Sequence, residues 1–179
     1  MGEQKPPRRG RTTARTPLSR DRVIRAAMAV ADEKGTTSAL TMRAVAGRLG
    51  VEAMSLYHHV AGRDDLLNGM VDAVFAEIDL PPHGPDWQNA LRHRTTSART
   101  VLLNHPWAVG LLDSRPHPGP ATLRHHNAVL GALRAAGFSV PRAVSAFSLI
   151  DSYLYGFVLQ ETSLPFKGRA ELEEVAPAA

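Results

Sequence analysis

TMRAVAGRLGVEAMSLYHHV, residues 41–60, is the stretch on which the reading of this chain turns. Thr41 stands where a helix N-cap would, ahead of Met42, Val45, Ala46 and Leu49 at helical spacing, and Gly50 stops that helix after about two turns. A second short helix follows over about residues 52–59. A helix-turn-helix requires such a pair, with a tight turn and a small residue where the two backbones approach. Ala46, four residues before Gly50, meets the second requirement, and Gly50 can take the positive φ of the turn. Val45, Leu49, Val51 and Leu56 supply the shared core. Because such motifs project the start of their second helix into the major groove of DNA, Ala53, Met54, Ser55, Tyr57 and His58 become groove-facing candidates.

Upstream, residues 1–17 mix Pro, Gly, Arg and Thr without apolar periodicity, which predicts a flexible basic arm. Ser19 and Asp21 open a helix over about 19–34, with Val23, Ile24, Ala27, Val30 and Ala31 on one stripe and Gly35 as its stop. Downstream, Leu66, Leu67, Met70, Val71, Val74, Phe75 and Ile78 predict a longer helix over about 64–79. LeuProProHisGlyPro at 80–85 then breaks the chain, because successive prolines remove donors and restrict the residues before them. Asp86 caps a helix carrying Trp87, Leu91, Ala98, Val101 and Leu102. A short apolar piece, Trp107 to Leu112, follows Pro106, and 115–120 is a loop. Leu123, Leu130 and Leu133 mark a helix that Gly137 ends. The last strong helix covers about 140–161, with Val144, Phe147, Ile150, Asp151, Leu154 and Val158 on one side. No strand pattern and no repeat is evident, so the fold class is all-α.

Charge is distributed unevenly along the 179 residues. The whole chain carries a formal +4, yet residues 1–63 hold 12 Lys/Arg against 5 Asp/Glu, and residues 64–80 hold five acids and no base. Positive charge is concentrated around the helix-turn-helix, as contact with phosphates requires. With no cysteine there is no disulfide, thiolate nucleophile or thiolate metal site. No run of 18 apolar residues exists and the basic N-terminus lacks the apolar segment of a secretory signal, which predicts a soluble, cytoplasmic chain that does not engage a membrane. GxSxG, P-loop, dinucleotide-fingerprint and HExxH patterns are absent, and the histidines have no spaced ligand partners, which argues against an enzyme, a metal site or a cofactor. His125 and His126, adjacent on a helix, point apart and are read as a solvated face.

Residues 18–75 as a whole, with LTMRAVAGRLGV, then SLYHHV, then a basic residue before an acidic, leucine-rich helix, resemble the N-terminal domain of TetR-family regulators. HPW at 105–107, SRPHPGP at 114–120 and LRAAGFS at 133–139 look like the tetracycline-repressor-type C-terminal domain. The resemblance covers about residues 18–165. It implies a three-helix DNA-binding domain over 18–64, joined by a fourth helix to a helical ligand-binding and dimerisation domain over 65–179, with a linker at 80–86. Carried over by position, it implies that Thr41, Tyr57 and Arg63 contact backbone phosphates and Arg43 a base or phosphate. Ala53, Met54, Ser55 and His58 would face base edges, while Leu56 stays in the core and His59 packs under the fourth helix. The chemistry agrees for Arg43, which can be bidentate to guanine, and for Ser55, whose hydroxyl serves either a base or a phosphate. Ala53 and Met54 offer only apolar contact.

For the sensor half, the candidate pocket residues are Trp87, Trp107, Leu111, Ser114, His117, Asn127, Phe147, Asp151 and Tyr155, a mostly apolar set with a few polar anchors. The tetracycline repressors hold magnesium with a histidine just before the SRP-like turn. Leu111 occupies that position here, which argues against magnesium-tetracycline as effector. Asp151 stands out, since a carboxylate among apolar neighbours needs a partner or solvent. The resemblance further implies a homodimer on a palindromic operator, with the dimer built on the helix at 140–161. Family members usually continue past that helix, whereas this sequence ends in LEEVAPAA at 172–179, so the expectation is a dimer with less support than usual and an exposed apolar strip. The resulting expectation is a sequence-specific transcriptional regulator, by family habit a repressor released by a small molecule. The competing reading is a helical dimerisation or interaction module with a vestigial helix-turn-helix.

Overall fold

Apolar residues at helical spacing, punctuated by left-handed glycines and prolines, produce an all-helical fold. The computed structural model describes residues 17–112, 114–115 and 117–164. Its helices are α1 (Arg20–Lys34), α2 (Met42–Leu49), α3 (Ala53–Leu56), α4 (Arg63–Glu77), α5 (Trp87–Asn104), α6 (Val109–Leu112), α7 (Pro120–Ala135) and α8 (Val140–Ser163), with a 3-10 turn (Pro106–Ala108) before α6. The C-terminal residues 172–179 and the arm at 1–16 lie outside the described residues.

Local chemistry sets the boundaries. The Ser19 hydroxyl accepts from the Arg22 N–H, the Thr41 hydroxyl from Ala44 and the Asp86 carboxylate from Asn89, so side-chain caps open α1, α2 and α5. Gly35 (φ 64°) and Gly50 (φ 66°) adopt the left-handed conformation that closes α1 and α2. At Gly50 the chain reverses tightly, and the Val51 N–H reaches back to the Ala46 carbonyl at 3.1 Å. The second helix of the motif is shorter than its spacing suggests. Regular α-helix covers only Ala53–Leu56, and a turn follows in which the Val60 N–H returns to the Leu56 carbonyl at 3.0 Å. Glu52 provides no side-chain cap, and the chain bends at once toward α4.

α1, α2 and α4 enclose the helix-turn-helix core, in which Val23, Ala27, Val45, Ala46, Leu56 and Val60 are buried. α4 packs against both α1 and α7. A Cβ at Gly69 would lie 2.6 Å from Ile24 Cδ1, so that glycine permits the close approach of α1 and α4. The Asp72 carboxylate accepts from the Thr122 N–H (2.8 Å) and hydroxyl (3.0 Å), capping α7 from a neighbouring helix. Here Gly119 is the permissive residue, because a Cβ on it would run into the Asp72 carboxylate. One apolar core runs from α1 through α4 to Leu102, Trp107, Leu112, Leu154 and Val158, and a second, smaller one joins Leu91, Val129, Leu133 and Ala143.

Three sequence expectations are corrected. α7 buries Ala121, Thr122, His125, Val129 and Leu133, whereas Leu123 faces solvent, because the helix turns its small and polar face toward α4. His125 is therefore interior and not on a solvated face. On α8 the buried residues are Ala143, Asp151, Leu154 and Val158, while Val144 is exposed near the start of the helix, and Leu149, Tyr153 and Phe157 form an exposed apolar strip on another face.

Removing either device that shapes the motif should be measurable. Thr41→Ala is expected to cost about 1 kcal/mol by losing the α2 cap, and Gly50→Ala about the same or more by forcing a side chain into left-handed backbone. Urea denaturation with an unchanged m-value is the measurement. An unshifted midpoint for Gly50→Ala would show that the turn does not need that conformation.

Candidate nucleic-acid interface and sensor region

The helix-turn-helix presents a defined set of side chains. Met54 is 73% exposed and Tyr57 48%, although both are large and apolar, and Arg43 and His58 are exposed beside them. Ala53 and Ser55 are half-buried, Ala53 against the core, and Leu56 is buried as the spacing predicts. Thr41 is exposed while its hydroxyl caps α2. Arg63 has a second task. Its Nε–H and one terminal N–H donate to the carbonyls of Leu40 (3.4 Å) and Thr37 (3.0 Å), clamping the α1–α2 connection onto the start of α4.

A brace that sequence reasoning missed holds the far side of the motif. Arg20 donates to both Asp65 oxygens, at 2.7 and 2.5 Å, and to the His59 carbonyl at 3.1 Å, while Asp65 accepts from the Ala61 N–H at 2.9 Å. The Arg20 hydrogen bond holds the Asp65 carboxyl below the ordinary aspartate range, against the opposing effect of partial burial. Arg48 pairs with Glu33, tying α2 to the end of α1. These basic residues orient the motif internally and leave Arg43 on its outer face.

In the C-terminal half, Phe147, Asp151 and Tyr155 stack at four-residue intervals on α8. Asp151 finds its partner in Arg94 of α5: both are buried, with the guanidinium 2.5 Å from one carboxylate oxygen and the Tyr155 hydroxyl donating to the other at 3.2 Å. The signal for Arg94 was available, since Leu91, Arg94, Ala98 and Val101 recur on the buried stripe of α5. Farther along, Arg99 pairs with Glu161. Phe147 stacks edge-on with His126 (5.0 Å), which also meets Phe75 edge-on (5.9 Å). His125 Nε2 donates to the Ile78 carbonyl at 2.9 Å. Burial pushes His125 below the ordinary histidine range, an effect the Ile78 bond opposes and the charge of Arg94 reinforces.

The other candidates do not converge on this cluster. Trp87 packs edge-on against Phe138 at 5.0 Å, and Ser114, His117 and Asn127 are exposed. Leu111 is half-buried against the main core. Trp107 is buried elsewhere, its indole N–H donating to Asp32 of α1 at 2.6 Å. An open groove of about 420 Å³ between α5 and α8 is lined by Leu91, Arg92, Thr95, Thr96, Leu149, Ile150 and Tyr153, none of which is among the pocket residues suggested by the sequence.

Comparison with known proteins agrees with this geometry. Residues 23–70 match the family model for bacterial regulatory proteins of the tetR family, and residues 80–179 match the tetracyclin repressor-like C-terminal domain. The chain belongs to the TetR family. Among its relatives is an HTH-type transcriptional regulator of Saccharopolyspora erythraea, 39% identical over 146 residues, covering 81% of this chain and 61% of that protein. The HTH-type transcriptional repressor DrrR1 of Streptomyces coeruleorubidus is 37% identical, covering 82% of this chain and 56% of the repressor. This TetR-family chain thus spans 61% and 56% of the lengths of these two curated relatives. Among solved structures, the TetR family protein ActR of Streptomyces coelicolor in complex with actinorhodin superposes with a TM-score of 0.78 at 27% identity, covering 88% of this chain and 74% of ActR.

The Arg94–Asp151 pair makes a strong prediction, because removing one buried partner strands the other charge. Asp151→Ala should destabilise the protein by about 3–5 kcal/mol, whereas Arg94→Met combined with Asp151→Leu should recover most of that loss. A double-mutant cycle by denaturant unfolding measures both. A loss in the double variant equal to the sum of the two single losses would mean that the two charges are not coupled.

Proposed function

We propose that this chain is a cytoplasmic, sequence-specific transcriptional repressor that grips a palindromic operator as a homodimer and releases it when a small molecule binds. The carrying observation is the outer face of the helix-turn-helix, where Arg43, Met54, Tyr57 and His58 stand exposed on a motif whose own orientation is held by Arg20, Asp65 and Arg63. Arg43 offers a guanidinium for guanine or phosphate, Tyr57 a phenol for a phosphate, and Met54 an apolar contact to a thymine methyl. Membership of a family of regulatory proteins supports the regulator over an enzyme or an interaction module.

One motif touches only a few base pairs, so specificity calls for two motifs about one helical turn, ~34–36 Å, apart. A twofold dimer pairs naturally with a palindrome. The exposed strip of α8, Leu149, Tyr153 and Phe157, is the surface that supports pairing. The effector would settle among α5, α7 and α8 near Phe147, Asp151 and Tyr155, and ActR, solved with actinorhodin, supports a small-molecule effector. Release then depends on the effector's differential affinity for two dimer shapes.

Selecting bound fragments from genomic DNA identifies the operator, and titration over a range of salt tests the interface. Tyr57→Ala is expected to weaken binding to all sequences alike, and Arg63→Ala to lower the salt slope by about one. Arg43→Ala should relax preference at one operator position. Affinity for duplex DNA that does not respond to salt would favour the interaction module, and sedimentation showing one protomer per operator at saturation would exclude the dimer.

A further inference from the structure

His105 sits where three helices end. It caps the C-terminus of α5, and it faces Asp32 in the last turn of α1 and Glu77 at the end of α4. Its Nδ1 lies 2.8 Å from Asp32 Oδ1 and its Nε2 lies 3.1 Å from Glu77 Oε2. A carboxylate accepts but does not donate, so a hydrogen bond on each side requires a proton on each nitrogen, and the ring is an imidazolium. The C-terminal ends of helices are partially negative and favour that cation. Trp107 completes the cluster by donating to the same Asp32 oxygen at 2.6 Å. Asp32 belongs to the helix-turn-helix unit, His105 and Trp107 to the sensor body, and Glu77 to the helix that joins them.

We propose that Asp32, His105 and Glu77 form a proton-dependent joint that fixes the DNA-binding unit on the sensor body, so that operator affinity falls when His105 loses its proton. A joint held by charge presents the motif in one orientation and lowers the ordering cost of binding. The side chain of His105 is only 12% exposed, so a neutral ring between two carboxylates would leave one of them facing a nitrogen lone pair with little water to intervene. Among the other charged groups of the surrounding elements, Glu33 is paired with Arg48, Lys34 stands in the last turn of α1, and Arg99 of α5 is paired with Glu161 of α8. Burial alone would lower the affinity of His105 for its proton, but Asp32 and then Glu77 more than offset this and hold it above the ordinary histidine range. The linkage follows from that sign. The joint's contribution is complete below the ordinary histidine range and is lost as pH rises through the raised value.

The joint can be read without DNA. Trp87 and Trp107 are the two tryptophans, and the Trp107 ring lies 5.8 Å from that of His105, where an imidazolium quenches indole emission more than a neutral ring does. In Trp87→Phe protein, Trp107 emission should rise with pH at a midpoint above that of an ordinary histidine, and the step should vanish when His105→Gln is added. Should the glutamine variant fail to fold, Asp32→Asn is expected to fold and to lower the midpoint by about one pH unit. Affinity for a duplex selected from genomic DNA should fall with pH by up to about tenfold per unit in wild type, and less in His105→Gln. His58 and His59 remain in both proteins, so the difference isolates His105. This DNA arm rests on the function proposed above, whereas the emission arm does not, so failure of DNA binding alone would leave the emission step intact. An emission midpoint at or below the ordinary histidine range, or identical pH profiles of affinity in the two proteins, would overturn the joint.

Discussion

Helix α4 is the constraint on which the structure depends, because a single helix must complete two packing surfaces. Leu66, Leu67, Met70, Val71, Val74 and Phe75 form two adjacent rows, wider than the stripe of a helix buried on one side only. Toward α1 Gly69 leaves room for the Ile24 side chain, and toward α7 a carboxylate, Asp72, supplies the cap that the α7 sequence lacks. The motif and the sensor body therefore share one continuous apolar core. In the function proposed above, a tilt of α4 would carry the effect of a ligand from one region to the other.

Charge is arranged around this helix with a clear division of labour. The basic residues Arg20, Arg48 and Arg63 hold the motif together through carboxylates and carbonyls, while Arg43 remains on the outer face. Deep in the sensor half, Arg94 and Asp151 neutralise each other across α5 and α8. Removing one partner of such a pair leaves an uncompensated buried charge, so each of the two side chains holds the other in place across the helix interface. His105 plays the corresponding part at the junction, where three helix ends converge.

Much of this protein was legible in its sequence because the deciding signals are local. Caps at Ser19, Thr41 and Asp86, left-handed glycines at 35 and 50, and the apolar spacing of α1, α2 and α4 depend on residues within a turn or two of each other. The motif's outer residues follow from the same periodicity, since burial of Leu56 leaves Met54, Tyr57 and His58 outward. What only the tertiary structure decided involves partners far apart in the chain. Asp151 announced a missing partner without naming Arg94, 57 residues away. Trp107 read as a pocket residue but anchors Asp32, 75 residues away, and the solvated face assigned to His125 is closed by Ile78, 47 residues away. Helical periodicity says that a residue faces inward or outward, but not which helix it meets. That is determined when α4 brings α1, α5, α7 and α8 around one core, because burial leaves each polar group only the partners that packing places beside it.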